Sequence, residues 1–282
     1  MLFLSDQELD SLLLEDIRYG DLTTRALGIG ARRGVMTFSR RTTGKVSGLD
    51  AAARVLQRLG LSVAVAGADG QVAPAGDPLL TAAGPADRLH QGWKVAQNLL
   101  EWCSGVAQAT HDLVALAQSI NPRMQIACTR KTIPGTKTLA LGAVIDGGGT
   151  LHRCGTADTV LLFANHRHFC ADPADWRQHV ATLRLSAPDR LIVVEADNET
   201  EAMAAIDAGP DLVQLDKFSP GAVSRALAYA KTQAPACRLA VAGGINTGNI
   251  GEYARTGIEL AVTSMPYYSP PADISVRLHP VP

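Results

Sequence analysis

From residue 125 onward the chain alternates between short apolar runs and helical stretches, and this beat limits the fold more than any other feature. The runs cover residues 125–129, 159–163, 191–195, 212–216, 239–244 and 260–264. Predicted helices lie between them, over 199–208, 220–231 and 249–256. Strands alternating with helices at this spacing imply parallel βα units joined by right-handed crossovers. The short intervals suit a barrel, or an incomplete barrel, better than a flat sheet. In such a fold the carboxyl ends of the strands share one mouth, where chemistry sits. Nearly every run ends on polar residues or glycine there: Thr129-Arg130-Lys131, Asn165-His166, Glu195, Asp216-Lys217, Gly243-Gly244 and Thr263-Ser264.

The first hundred or so residues read differently. Ser5 is a plausible N-cap for a helix over 6–15, with Leu9, Leu12 and Leu13 on one face. Alternating runs follow at 34–39, 44–47, 62–66 and 79–83, punctuated by Gly67-Ala68-Asp69-Gly70 and Pro74-Ala75-Gly76-Asp77-Pro78. Ala51, Ala52, Val55, Leu56 and Leu59 stand at helical spacing between them. The reading is an N-terminal α+β sandwich over 1–105, then an open, incomplete α/β barrel over 106–271. A long helix over 86–120 leads from one to the other, and a last alternating strand within 272–282 returns to the first sheet.

Charge is balanced, with 26 Lys and Arg against 27 Asp and Glu, so there is no general pull toward nucleic acid or an acidic membrane. Any anion site is therefore local. The candidate is Cys128-Thr129-Arg130-Lys131-Thr132-Ile133-Pro134-Gly135 with Gly147-Gly148-Gly149-Thr150-Leu151-His152-Arg153. Guanidinium forks match carboxylate and phosphate oxygens in pairs, and glycine lets backbone come close. No apolar run reaches membrane-spanning length, and Asp6 and Glu8 come too early for a secretory signal. Five cysteines without CxxC spacing favour a reducing cytoplasm over disulfides or a thiolate zinc site. Cys128 and Cys154 flank the motifs without an adjacent base and read as packing residues. His166, His168 and His179 read as loop or surface histidines rather than metal ligands.

Glu195 and Asp216 stand among these cations. Carboxylates at a phosphate site serve through magnesium or stabilise a developing positive charge. Gly243-Gly244, before Ile245-Asn246-Thr247-Gly248-Asn249, makes a strand-to-helix turn able to cradle phosphate. Together these parts describe a magnesium-assisted site for a phosphorylated sugar and a second anionic substrate.

The order of these motifs resembles the nicotinate-nucleotide pyrophosphorylases, or quinolinate phosphoribosyltransferases. The likeness also includes Asp158-Thr159-Val160-Leu161, Val194-Glu195-Ala196-Asp197, Ser104-Gly105-Val106-Ala107 and Gly20-Asp21-Leu22-Thr23-Thr24. It implies a pentosyltransferase that joins a pyridine dicarboxylate to phosphoribosyl pyrophosphate, releasing pyrophosphate and carbon dioxide. It also implies a homodimer, or an assembly of dimers, with sites completed across subunits. By motif, Arg130, His152 and Arg153 would hold the acid, and Lys131 would contact phosphoribosyl pyrophosphate. Glu195 and Asp216 would hold ribose or magnesium, and Gly243 and Gly244 the 5-phosphate. Thr129, Lys94, Lys217 and Ser264 complete the candidate substrate-binding set.

Four positions depart from the family pattern. Trp93-Lys94 stands for a Glu-Arg pair, Phe163 for a substrate-binding lysine, Lys217 for asparagine and Ser264 for glycine. Losing the lysine leaves a substrate carboxylate one charge-assisted bond short, a cost of about 1.5–3 kcal/mol. With Leu4-Ser5-Asp6 and Pro266-Tyr267-Tyr268-Ser269-Pro270, these departures look like the molybdenum-transport-associated ModD branch. Three alternatives follow. Lys217 or Lys94 covers the missing charge and quinolinate is the acceptor, or the acceptor is another aromatic acid linked to molybdenum metabolism, with fewer carboxylates. The third is a non-catalytic anion-binding protein on the same scaffold, against which the retained Glu195 and Asp216 argue.

Overall fold

The computed structural model describes residues 2–281. In chain order the elements begin with α1 (Asp6–Ile17), α2 (Leu22–Ala26), β1 (Arg33–Arg40), β2 (Gly44–Lys45), α3 (Leu49–Arg58), β3 (Ser62–Val65), β4 (Val72–Ala73) and β5 (Pro78–Pro85). Then come α4 (Ala86–Ile120), β6 (Gln125–Cys128), α5 (Lys137–Asp146), β7 (Thr150–Leu151), β8 (Val160–Leu162), α6 (Ala164–Arg167) and α7 (Trp176–Ser186). The remainder is β9 (Ile192–Ala196), α8 (Glu199–Asp207), β10 (Leu212–Asp216), α9 (Pro220–Gln233), β11 (Arg238–Ala242), α10 (Ile250–Arg255), β12 (Leu260–Thr263) and β13 (Ile274–Pro280). Contacts group them into two compact units. One takes the chain up to His111, Thr132–Gly148 and everything from Pro266; the other takes Asp112–Lys131 and Gly149–Met265.

The first unit is built on an antiparallel sheet in the order β13-β1-β5-β3. Strict alternation along β1 turns Met36 and Phe38 inward, where they are fully buried with Leu49, Leu56, Leu80 and Leu100. β13 pairs with β1 in a register that sets Val276 beside Phe38. A second cluster seats α1 through Leu9 and Leu13 against Val55, Val95 and Leu99. The α1 start is a complete capping box: Glu8 N–H donates to Ser5 Oγ (3.2 Å), and Ser5 N–H donates to Glu8 Oε2 (2.7 Å).

The second unit is a curled sheet of seven strands in the order β7-β6-β12-β11-β10-β9-β8, every neighbouring pair parallel. β7 and β8 stand at its two ends without pairing to each other, so this is an open barrel. Period-two alternation sorts the side chains of each strand between two cores. Ile192, Val194, Val213, Leu215 and Val241 join helix residues such as Ala205, Val223 and Ala226 in the outer core. Val193, Leu212, Ala240, Ala242 and Val262 form the inner one, with Phe163 packed against it. By the same alternation Glu195 follows Val193 inward, and Gln214 and Asp216 follow Leu212. The helices that cover the outer face begin on caps readable in the sequence: Asn198 Oδ1 accepts from Glu201 N–H (3.0 Å), and Ser219 Oγ from Ala222 N–H (3.3 Å) with Pro220 next.

Candidate active site

All strands of the second unit run the same way, so their carboxyl ends share one edge. There lie Thr129, Arg130 and Lys131 after β6, His152 and Arg153 after β7, and Phe163 after β8. Glu195 is the penultimate residue of β9, Asp216 ends β10 with Lys217 next, Gly243 and Gly244 follow β11, and Ser264 follows β12. Thr129 N–H donates to the Thr263 carbonyl (2.9 Å), and the Thr129 and Ser264 hydroxyls meet at 2.5 Å. His152 N–H donates to the Cys128 carbonyl at 3.0 Å, extending the β6–β7 pairing past the end of the strand. Lys94 is on α4, in the first unit. Its Nζ donates to Gln97 Oε1 (2.7 Å) and rests 4.2 Å from the Trp93 ring centroid.

Among the described residues neither Arg130 nor Arg153 forms a salt bridge, although Arg153 is only 9% exposed. Burial and the nearby Arg130 charge both push the Arg153 pKa down, while Asp158 works the other way. A buried guanidinium next to a second one, offset by the Asp158 charge but in a salt bridge with no carboxylate among the described residues, has donors left to offer an anion. His152 is a different kind of group: burial, then Arg153, depress its pKa to about 4, so its imidazole is neutral at neutral pH.

Glu195 shows the opposite shift. Burial raises its pKa, a hydrogen bond from Gln214 lowers it, Asp216 and Asp197 raise it, and Lys131 lowers it. Gln214 Nε2 donates to Glu195 Oε2 at 2.5 Å, and Gln214 Oε1 is buried without a partner. Asp216 Oδ2 lies 3.3 Å from Lys217 Nζ. Lys217 stands in the left-handed region at φ 56°, and its N–H donates to the Ala242 carbonyl (2.7 Å). Gly243, at φ +87°, permits this turn: a Cβ there would come within 2.7 Å of Asp216 Oδ1 and 2.9 Å of Lys217 N. The Gly244 carbonyl accepts from both Asn246 Nδ2 (3.0 Å) and Asn249 Nδ2 (2.9 Å), which braces the turn.

The Cys128 thiol is buried and its pKa is pushed up to about 12, so it carries no thiolate for nucleophilic chemistry. His166 Nδ1 accepts from Phe163 N–H (3.1 Å) and so serves the turn after β8. No motif in the sequence marks Gln214 as a neighbour of Glu195. Its signal was available: it lies two residues before Asp216 on one strand, the only polar side chain within the run 212–215.

A family model described as "Quinolinate phosphoribosyl transferase, C-terminal domain" matches residues 106–277, and the corresponding N-terminal domain matches residues 21–104. The chain belongs to the quinolinate phosphoribosyl transferase family. Within it, the chain is 50% identical over 280 residues to the "Putative pyrophosphorylase ModD" of Escherichia coli O6:H1, covering 99% of each. It is 32% identical to the "Nicotinate-nucleotide pyrophosphorylase [carboxylating]" of Mycobacterium leprae, covering 98% of this chain and 100% of that one. Among solved structures, the nicotinate-nucleotide pyrophosphorylase from Francisella tularensis superposes with a TM-score of 0.89 at 25% identity, covering 98% of both chains. A NadC deletion mutant gives a TM-score of 0.90 at 24% identity, a likeness of fold. Membership makes this a phosphoribosyltransferase-family chain, and its likeness to ModD proteins extends over its full length. No helix among the described residues is long and apolar enough to cross a membrane.

Proposed function

We propose that this protein transfers a phosphoribosyl group from phosphoribosyl pyrophosphate to the ring nitrogen of an aromatic acid. The observation that carries the reading is the coexistence, on one sheet edge, of two guanidiniums lacking salt bridges (Arg130 and Arg153) and two inward carboxylates (Glu195 and Asp216). The guanidiniums suit an anionic acceptor, and the carboxylates suit the positive charge that grows on ribose as the bond to the leaving group lengthens.

In the proposed step the nitrogen lone pair forms a bond to ribose C1. The C1–oxygen bond breaks, and its electron pair leaves with pyrophosphate. With a 2-carboxylate beside the nitrogen, as in quinolinate, the carbon–carboxylate bond then breaks to carbon dioxide, and a proton replaces it on the ring.

Arg130 and Arg153 would hold the acid, with neutral His152 as a hydrogen-bonding neighbour. Lys131, Thr129 and Ser264 would meet the phosphoribosyl half. Gly243 and Gly244, both at positive φ (+87° and +73°), would let backbone approach the 5-phosphate. Lys217 would add a cation beside Asp216. Lys94 would act on an acid or phosphate within a homodimer or an assembly of dimers. Glu195 and Asp216 fit magnesium, which takes one or two carboxylates and completes its shell with water and substrate phosphates, and which would offset the charge of departing pyrophosphate.

The test is pyrophosphate release from phosphoribosyl pyrophosphate by the full chain, with magnesium and a set of pyridine carboxylates. Acid-dependent release supports transfer. Measurable binding of both substrates with no release from any acid would leave only an anion-binding role.

A further inference from the structure

The parallel sheet of the second unit opens at its other edge on a cavity of about 510 Å³, where β6, β10, β11 and β12 begin. The candidate active site stands at the carboxyl ends of the same strands, so the two lie on opposite faces of this unit. All of the cavity's lining belongs to the unit. Its floor is apolar: Leu212 and Leu260 come from the inner core, and Leu227, Ala230 and Leu239 from the outer one. Burial pushes the pKa of the Cys237 thiol up to about 11, so the sulfur is uncharged and extends the apolar wall.

The rim is basic. Arg123, Lys231 and Arg238 stand there with one carboxylate, Glu259, which pairs with Arg123 at 3.0 Å. Lys231 and Arg238 are exposed and form no salt bridge among the described residues. Lys231 lies in the last turn of α9, where a cation offsets the partial charge of the helix end. Arg238, the first residue of β11, has no such duty. A bare inorganic anion would leave the leucines facing water, and a neutral apolar molecule would leave the Arg238 fork unused. A carboxylate on an apolar body satisfies both: the body lies on the leucines, and the guanidinium donates to the two carboxylate oxygens. The volume falls in the range of small-molecule sites.

We infer that this cavity is a second binding site, for a small amphipathic carboxylate. The apolar body rests on Leu212, Leu239 and Leu260, and the head meets Arg238 and Lys231 at the rim. The inference is independent of the phosphoribosyl-transfer reading, whose residues in this unit lie at the opposite edge of the sheet.

Calorimetry on the full chain tests it with octanoate as the probe, against acetate, which lacks the body, and octylammonium, which carries the wrong charge. One octanoate per chain is expected, with both comparison ligands bound at least about ten-fold more weakly. Arg238→Gln should weaken octanoate by about ten-fold, the size of one charge-assisted hydrogen bond. Its melting temperature should stay that of the wild type, because the side chain is exposed and in no salt bridge. Thiol labelling with a maleimide, mapped by mass, locates the ligand. Octanoate should slow the labelling of Cys237 and leave the exposed Cys154 and Cys170, which lie outside the cavity, unchanged. Absence of octanoate binding, equal binding of octylammonium, or unprotected Cys237 overturns the inference. So does octanoate binding that survives Arg238→Gln and is lost on Arg130→Gln, which would place the ligand in the candidate active site.

Discussion

Gln214 donates from Nε2 to Glu195 Oε2 at 2.5 Å, across a strand register that places the two residues side by side. The bond opposes burial, which drives the Glu195 pKa upward, and so helps keep this carboxylate ionised. Gln214→Met fills the same space without the donor. The Glu195 pKa should then rise further, and the acid limb of pyrophosphate release should move to higher pH. At mildly acidic pH kcat/KM should fall about ten-fold, as expected for the loss of one hydrogen bond to a charge. Stability should change little, because the orphaned Gln214 Oε1 disappears with the amide. A uniform loss at every pH, with the limb unmoved, would make Gln214 a packing residue only.

The Asp216-Lys217 corner depends on Gly243. A side chain at Gly243 would strike Asp216 Oδ1 and the Lys217 backbone, and φ +87° adds strain for any L-residue. Gly243→Ala should therefore lower activity by at least about a hundred-fold and cost roughly 1–3 kcal/mol in stability. Lys217, at φ 56°, carries strain of its own. Lys217→Asn, with a side chain that tolerates the left-handed region, should raise stability by up to about 1 kcal/mol in chemical denaturation. A destabilised Lys217→Asn variant would count against this account of the turn.

In the first unit, Asp69 caps α3 by accepting from Leu49 N–H (2.8 Å), and burial followed by the nearby Asp146 raises its pKa. A carboxyl whose pKa is raised by folding binds protons more tightly in the native state. Its contribution to stability is thus present below the unfolded pKa and is lost as pH rises through the folded one. Asp69→Asn keeps an acceptor for Leu49 and removes the charge. It should be more stable than the wild type at pH 7, by up to about 1 kcal/mol, with the difference vanishing below pH 4. Thermal melts across pH decide this, and equal melting temperatures at pH 7 would sink it.

The barrel was legible because most of its strands are apolar runs that end beside a polar residue or glycine, and helices α7, α8 and α9 begin on the side-chain caps Asp175, Asn198 and Ser219. The candidate site was legible for the same reason at Arg130, Lys131, Glu195, Asp216, Gly243 and Gly244, which follow or end such runs, whereas His152 and Arg153 were marked by the glycines 147–149 before them. Four features were hidden. α5 is apolar nearly all round, so it lacks the amphipathic period that marks a surface helix. β7 is two residues long and recognisable only through its pairing with β6. The Gln214–Glu195 bond joins neighbouring strands, whose register a sequence gives only through the pattern of burial, and the Phe163–Arg153 contact joins residues that follow β8 and β7, the two unpaired ends of the sheet.

His152 supplies the sharpest pH signature. Its pKa of about 4 lies below the ordinary histidine value because burial and Arg153 both disfavour the imidazolium. Activity between pH 5.5 and 8 should therefore show no step from this residue, about a pKa unit or more away from its titration. The folded state resists a proton that the unfolded chain accepts, so the contribution of His152 to stability is complete above about pH 6.5 and is lost as pH falls toward 4. The loss amounts to at most a few kcal/mol, reduced by partial solvent access. His152→Asn, which never ionises, should abolish that part of the acid destabilisation while leaving the melting temperature at pH 8 nearly unchanged. Imidazole carbon-bound proton shifts followed by NMR give the direct reading. A titration midpoint near 6.5 for His152 would show an imidazolium available to substrate carboxylates and would restore a third charge to the acid end of the site.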